Sequence, residues 1–308
     1  MEAAMEKKNM EIQAINHQTI GQRLKSYKRS PLSLMLLILV SVSALLTVMT
    51  LLFLIAYILI KGIPYLTSSL FVWEYTTENV SLMPALVNTV VMTGLSLLIA
   101  VPLGIFAAIY LVEYAKRGNK LVKLVRMTTE TLSGIPSIVY GLFGYLMFGV
   151  AFHWGYSMLS GALTLAIMVL PSIMRTTEEA LKAVPDSYRE GSFGLGAGRL
   201  RTVFVVILPS AIPGILAGVI LAIGRITGET AALIYTAGTV PGIPTTKLAG
   251  VPIFDMMSSG RTLAIHMYAL LNEGLYMEQA YATAVVLLVM VLLINALSAF
   301  IAKKFTRS

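Results

Sequence analysis

Residues 190–209 read EGSFGLGAGRLRTVFVVILP, a polar, glycine-bearing insertion between two apolar spans that closes on Ile207, Leu208 and Pro209. Gly194, Gly196 and Gly198 permit close approach and a sharp turn between two helical pieces. Pro185 suits the first turn of a helix running through Asp186 and Glu190, whose carboxylates complement the positive end of a helix dipole. A short helix lying across a membrane surface can enter a groove of a soluble partner and carry that partner's motion into the spans on either side. An ordinary surface loop is the plainer reading of the same residues.

The rest of the chain makes a membrane surface the right setting. Hydrophobic residues make up 57% and charged residues 12% of its 308 positions, against roughly 45–50% and about 25% in soluble domains. A membrane helix needs about 20 mainly apolar residues, and six segments reach or approach that length: 33–60, 85–112, 130–152, 157–174, 210–235 and 280–302. The expectation is an all-α integral membrane protein of six spans. Residues 1–30 form a polar tail, 31–84 the first span with its outer loop, 85–302 a five-span core, and 303–308 the terminus. Within the core, 176–209 is the insertion loop and 236–279 the longest outer connection.

Lysine and arginine set the orientation. Lys7, Lys8, Arg23, Lys25, Lys28 and Arg29 precede the first span. Lys116, Arg117, Lys120, Lys123 and Arg126 lie in the second connection, and Arg175, Lys182, Arg189, Arg199 and Arg201 in the fourth. Lys303, Lys304 and Arg307 close the chain, so the positive-inside rule puts both termini and the insertion loop in the cytoplasm. Trp73, Tyr75, Phe152, Trp154 and Tyr156 fall in the outer connections, as interfacial anchors do. The net charge of +8 is thereby explained by topology, and no nucleic-acid partner is expected. The first apolar run is too long for a secretory core of 7–15 residues and reads as a retained span. With no cysteine, disulfides, thiolate metal sites and a cysteine nucleophile are excluded. His17, His153 and His266 are too scattered to suggest a metal site.

Spans two to five are dense in Gly and Pro, among them Pro102, Gly104, Gly134, Pro136, Pro171, Pro213, Gly218 and Gly228, which fits helices packed on protein and locally irregular. In 236–279 an apolar stretch from Ile265 to Leu271 is too short to cross and reads as a re-entrant or surface-lying helix. Arg225 and Glu229 are the only charges between Thr202 and Thr246. Four apart, they share a helix face and can pair. A charge at mid-membrane costs at least about 2.5–3.5 kcal/mol and usually faces a pathway or a partner. One reading is a self-neutralised structural pair. The other is an anion site, with the guanidinium fork of Arg225 facing oxyanion oxygens, Glu229 holding or releasing it, and Arg175 as a second cation.

Two resemblances sharpen this. The spacing in 190–209 resembles the cytoplasmic coupling loop of binding-protein-dependent ABC importer permeases: EAA, three residues, Gly, nine residues, Ile, any residue, Leu-Pro. Gly191 and Ser192 stand for the two alanines, and Val206 for the isoleucine. The strings SGIPSIVYGLFG (133–144), MRTTEEALKAVPDSYREGSFGLGAG (174–198), GRITGETA (224–231) and TLAIHMYALLNEG with QAYATAVVLL resemble the phosphate importer permeases of the Pst system, the last two the PstA type. The resemblance implies a type I ABC importer permease fold with a cytoplasmic coupling helix in a bacterial inner membrane. It implies a PstC-like second permease subunit, two copies of a PstB-like ATPase and a PstS-like phosphate-binding protein. It also implies a role in phosphate passage for Arg175, Arg225 and Glu229, and in ATPase coupling for Glu190, Gly196, Leu208 and Pro209. No G-x-x-x-x-G-K-[ST] phosphate loop occurs in the chain, so ATP and Mg²⁺ are expected on the partner ATPase and no cofactor on this chain. A permease for phosphonate, molybdate or sulfate, a gradient-driven transporter and a non-transporting scaffold are the alternatives. The gradient-driven transporter gives the loop at 190–209 no role.

Overall fold

A computed structural model describes residues 31–116, 118–248 and 251–306. The tail 1–30 with His17, as well as Arg117, Gly250 and Arg307, lies outside the described residues. Contacts divide the chain into Met1–Tyr57 and Ile58–Ser308. The first unit consists, where described, of most of helix α1 (Pro31–Gly62), whose 32 residues span about 48 Å. Its side chains from Leu36 to Phe53 are mostly large, apolar and exposed, as lipid-facing residues are.

In the second unit, α2 (Met83–Tyr114), α5 (Met158–Ala183), α7 (Arg199–Thr227) and α10 (Met277–Thr306) are long helices. With α1 they make five candidate spans among the described residues, or six when the bent pair α3 (Lys120–Ser133) and α4 (Ser137–Ala151) counts as one. Helix α5 is the central post: Met158, Leu165, Met168, Val169 and Ile173 are at most 1% exposed. Helix α2 packs against it where Met92 and Ala100 join its core cluster and Gly104 meets Ile173, while further up the helix the Asn88 amide donates to the Gly242 and Arg261 carbonyls. Meanwhile Val90, Leu98, Leu103 and Phe106 face outward. In lipid, helices gain from close backbone approach rather than from burying oil. A Cβ at Gly104 would stand 2.7 Å from Ile173 Cγ2.

The sequence places span boundaries where apolarity begins and ends, and the helices do not follow it everywhere. The expected span 130–152 is broken at Gly134–Pro136 into α3 and α4, bent by 105°. Pro136 lacks an N–H and holds the chain extended there, and the Tyr140 hydroxyl fixes the bend by donating to the Leu132 carbonyl at 2.7 Å. The span 157–174 continues as helix to Ala183, because Arg175–Lys182 is a solvated helical extension rather than a loop. The span 210–235 begins at Arg199 and breaks at Gly228 before α8 (Ala231–Thr236).

The connection 237–262 carries a small antiparallel hairpin, β1 (Thr245–Leu248) and β2 (Val251–Phe254), with Thr245 opposite Phe254. No strand is foreseen by the sequence reading. Its return leg serves α5: the carbonyls of Ser258 and Met256 accept from the N–H groups of Met158 and Leu159 at 3.0 and 2.9 Å, satisfying donors that a helix start leaves open. Helix α9 (Leu263–Glu273) follows, the short apolar helix expected around Ile265–Leu271, with Ile265 and Leu270 buried.

Candidate functional site

Two helices build a polar cavity by the same arithmetic. Helix α5 presents Arg175, Glu178, Glu179 and Lys182, and α3 presents Arg126, Thr129, Glu130 and Ser133, each set at i, i+3, i+4 and i+7 on one helix face. Together with Arg225 of α7 they line a cavity of about 340 Å³. Glu178, with 13% side-chain exposure, receives both Arg126 Nη2 at 2.7 Å and Lys182 Nζ at 2.6 Å. The Nε of Arg126 is buried without a hydrogen-bond partner. Arg175 meets Glu179 at 3.1 Å with both side chains about two-thirds exposed, a pairing worth little in water.

Arg175 and Arg225 therefore open on one cavity; Glu229 does not line it. The expected Arg225–Glu229 pair is also not formed. Helix α7 ends at Thr227 with Gly228 as its cap, so the two residues no longer share a helical face. Each charge meets a helix end instead. Arg225 lies in the last turn of α7, at the negative end of its dipole. The Glu229 carboxylate accepts from the Ala232 N–H at the start of α8, at 3.1 Å. Among the described residues no carboxylate lies within ion-pair distance of Arg225.

The segment 185–209 forms a second site. Pro185 caps α6 (Asp186–Gly194), and Glu190 lies exposed on it. Gly196 adopts φ +79°, with nothing within 4 Å of where a Cβ would stand. Leu195 is 91% exposed, and Tyr188 and Phe193 about half. Beneath this surface Arg189 is a fastener. Its Nη2 donates to Glu113 Oε1 of α2 at 2.7 Å and to the Leu181 carbonyl of α5 at 2.9 Å, while Nη1 donates to the Val184 carbonyl at 2.8 Å and to Asp186 at 3.1 Å. The hydrogen bond to Glu113 pushes the Arg189 pKa further up, against the opposing effect of burial. One guanidinium thus ties α6 to the end of α2 and caps the last carbonyls of α5.

Leu208 and Pro209 sit inside α7, not at its start. Pro209 has no N–H to give, and the turn before it, Thr202–Ile207, widens to i→i+5 bonding. The Ser210 hydroxyl supplies a donor to the Val206 carbonyl at 2.7 Å. Leu208 packs on the apolar cluster of Ala108, Ile109, Leu181, Val184, Val203 and Ile207, where α2, α5 and α7 meet at the root of α6.

Comparison with known proteins supplies the family. A profile described as "Binding-protein-dependent transport system inner membrane component" matches residues 100–307. The chain belongs to that family. It is therefore a multi-pass subunit of a membrane transporter and not an enzyme, and the family implies an ATPase and a solute-binding protein as partners. Among relatives of this inner membrane component, the probable ABC transporter permease protein YqgI of Bacillus subtilis (strain 168) is 36% identical over 82% of this chain and 90% of its own. The phosphate transport system permease protein PstA of Pasteurella multocida (strain Pm70) is 42% identical over 58% of this chain and 63% of its own. A chain of a bacterial alginate ABC transporter, solved with its periplasmic protein, superposes with a TM-score of 0.64. That match covers 92% of this chain and 98% of that one at 15% identity, a likeness of fold.

Arg126, Glu178, Lys182 and the Arg189–Glu113 fastener are the residues that sequence reasoning passes over, reading the basic ones only as orientation charges. The i, i+3, i+4, i+7 polar stripes of α3 and α5 are the signal that finds the first three. Nothing in the sequence pairs Arg189 with Glu113, 76 positions away. Among the described residues no cluster of His, Asp or Glu suits a metal ion.

Proposed function

We propose that this chain is the PstA-type permease subunit of an ATP-driven phosphate importer, forming half of the translocation pathway beside a PstC-like subunit. Of two PstB-like ATPases, one would dock on α6 and its turn at Gly196 from the cytoplasm, where both termini would lie, the other would dock on the PstC-like subunit, and a PstS-like protein would deliver phosphate from outside. ATP and Mg²⁺ belong to the ATPase, since this chain has no phosphate-binding loop of its own. The observation that carries the reading is the cavity on which Arg225 of α7 and Arg175 of α5 both open, within a family whose relatives include phosphate permeases. A guanidinium with no internal carboxylate partner offers forked donors to an oxyanion. Motion of the ATPases enters at α6, is passed by Arg189 to α2 and α5, and reaches the cavity through α5 and α7.

The test is ATP-dependent uptake of radiolabelled phosphate into vesicles carrying this chain with the partner permease, ATPase and binding protein, with sulfate, molybdate and phosphonate as competitors. Arg225→Gln should abolish uptake with the complex still assembled. Unchanged uptake, or displacement of phosphate by a competing oxyanion, would overturn the proposal.

A further inference from the structure

The polar cavity is not the end of the basic surface. A larger cavity of about 820 Å³ adjoins it, sharing Leu111, Arg126 and Lys182. It lies between the end of α2, the start of α3, the end of α5 and the inner face of α6. Its cations divide into two groups. Arg189 is consumed by Glu113 and Asp186, and Arg126 and Lys182 share Glu178. Lys116, Lys120 and Lys123 also line it, and among the described residues none of the three has a carboxylate within ion-pair distance. Arg199 adds a fourth charge, its guanidinium 5.7 Å from the Tyr114 ring centroid.

Topology accounts for basic residues on this side of the membrane, but not for their convergence on one concavity. Orientation requires only that lysines be somewhere in the connection. Here Lys116, Lys120 and Lys123, from the α2–α3 connection and the first turn of α3, line one space together with Arg199 from the start of α7. Lys120 and Lys123 also occupy the first turns of α3, which carry no acidic residue, so they oppose the helix dipole as well. Like charges gathered against these preferences mark a place that an anion completes.

We infer that this cavity is a second anion site, which binds a phosphate group on the cytoplasmic side of Glu178. A phosphate carries up to two negative charges and several acceptor oxygens, and flexible lysine point charges satisfy these without fixed geometry. Two sources share that chemistry. Inorganic phosphate leaving the first cavity passes Arg126 and Lys182 into this one, which rests on the function proposed above. The headgroup of an anionic phospholipid reaches it from the bilayer, since α3 exposes Leu121, Leu124 and Met127 along its length, as a helix lying in the membrane interface does.

The experiment measures binding rather than uptake, so its failure is separate from failure of the transport assignment. The full chain is placed in nanodiscs of zwitterionic phosphatidylcholine and titrated with radiolabelled inorganic phosphate at low and high salt. In a second arm, a small fraction of spin-labelled phosphatidylglycerol reports immobilised lipid. The triple variant Lys116→Gln/Lys120→Gln/Lys123→Gln alters only exposed side chains, and the matching triple Arg variant keeps the charge. One arm should lose about tenfold in affinity in the Gln variant and recover in the Arg variant, with the difference shrinking at high salt. Loss in the phosphate arm identifies the free anion, and loss in the lipid arm the headgroup. If both arms are the same in wild type and Gln variant, or if phosphate binding is lost only with Arg225→Gln, the second site does not exist.

Discussion

Arg189 carries more of the structure than its place in a polar loop suggests. Its side chain is 16% exposed and that of Glu113 is 9%, so removing either partner strands a charge that is mostly out of water. Arg189→Gln should destabilise the chain by an amount toward the low end of about 3–5 kcal/mol, the usual cost of breaking a buried pair. The double variant Glu113→Gln/Arg189→Gln should recover part of that loss, because the stranded charge is gone too. Denaturant unfolding of the four proteins of the cycle in detergent measures this, and strictly additive losses would show that the two side chains do not act together. At this scale the sequence was legible for residues whose setting is local: Gly196 reads as a turn glycine, and it is one. It was illegible for Arg189, whose partners depend on how α2 lies beside α5.

Helices and turns bring a different lesson. Apolarity located most spans, yet the expected span 130–152 was drawn across Gly134–Pro136, where Glu130, Thr131, Ser133 and Ser137 already interrupt the apolar residues. The glycine and proline there were visible, but the same residues also occur in helices that continue, such as α2 with Pro102 and α5 with Pro171. Periodicity failed in the same way for Arg225 and Glu229: spacing of four implies a shared face only while the helix lasts, and Gly228 ends it. The turn at Gly196 yields a sharp expectation. A side chain there meets nothing within 4 Å, so its only cost in the isolated chain is the left-handed backbone, about 1–2 kcal/mol. Gly196→Asp should therefore insert and fold normally while placing a bulky charge on the surface of α6 proposed above to meet the ATPase. Membrane levels should match wild type and substrate uptake should fall at least about tenfold, an interfacial cost of only some 1.4 kcal/mol. Normal uptake would mean that this turn is not part of the docking surface.

For the molecule as a whole, stability depends on a buried polar knot at the end opposite α6. His266 of α9 is fully buried. Tyr75 stands edge-on to it at 6.1 Å, and the Arg261 guanidinium lies 4.6 Å from the Tyr75 ring centroid. Burial first, and the Arg261 charge second, hold the His266 pKa down to about 3 from the ordinary 6.5. The unfolded chain therefore binds a proton that the folded one refuses. The stabilisation is complete above pH 6.5 and is lost as pH falls toward 3, by about 1.4 kcal/mol per pH unit. Melting temperature recorded from pH 7 to pH 4.5 should fall more steeply for wild type than for His266→Asn, and parallel slopes would sink this account. The helical, many-span architecture could be argued from composition. Knots of this kind could not, because Tyr75 lies in a loop far ahead in the chain of Arg261 and His266, which sit at the start of α9.

The break at Gly228 also sets a time scale. Because the ends of two helices, rather than one another, balance Arg225 and Glu229, an anion that reached the guanidinium, as proposed above, would displace no bound carboxylate. Nothing has to be unlatched before it arrives, and nothing snaps back into place to expel it. Its dwell time would then include no step of breaking an ion pair within the chain, as the proposed role of a site vacated on every cycle requires.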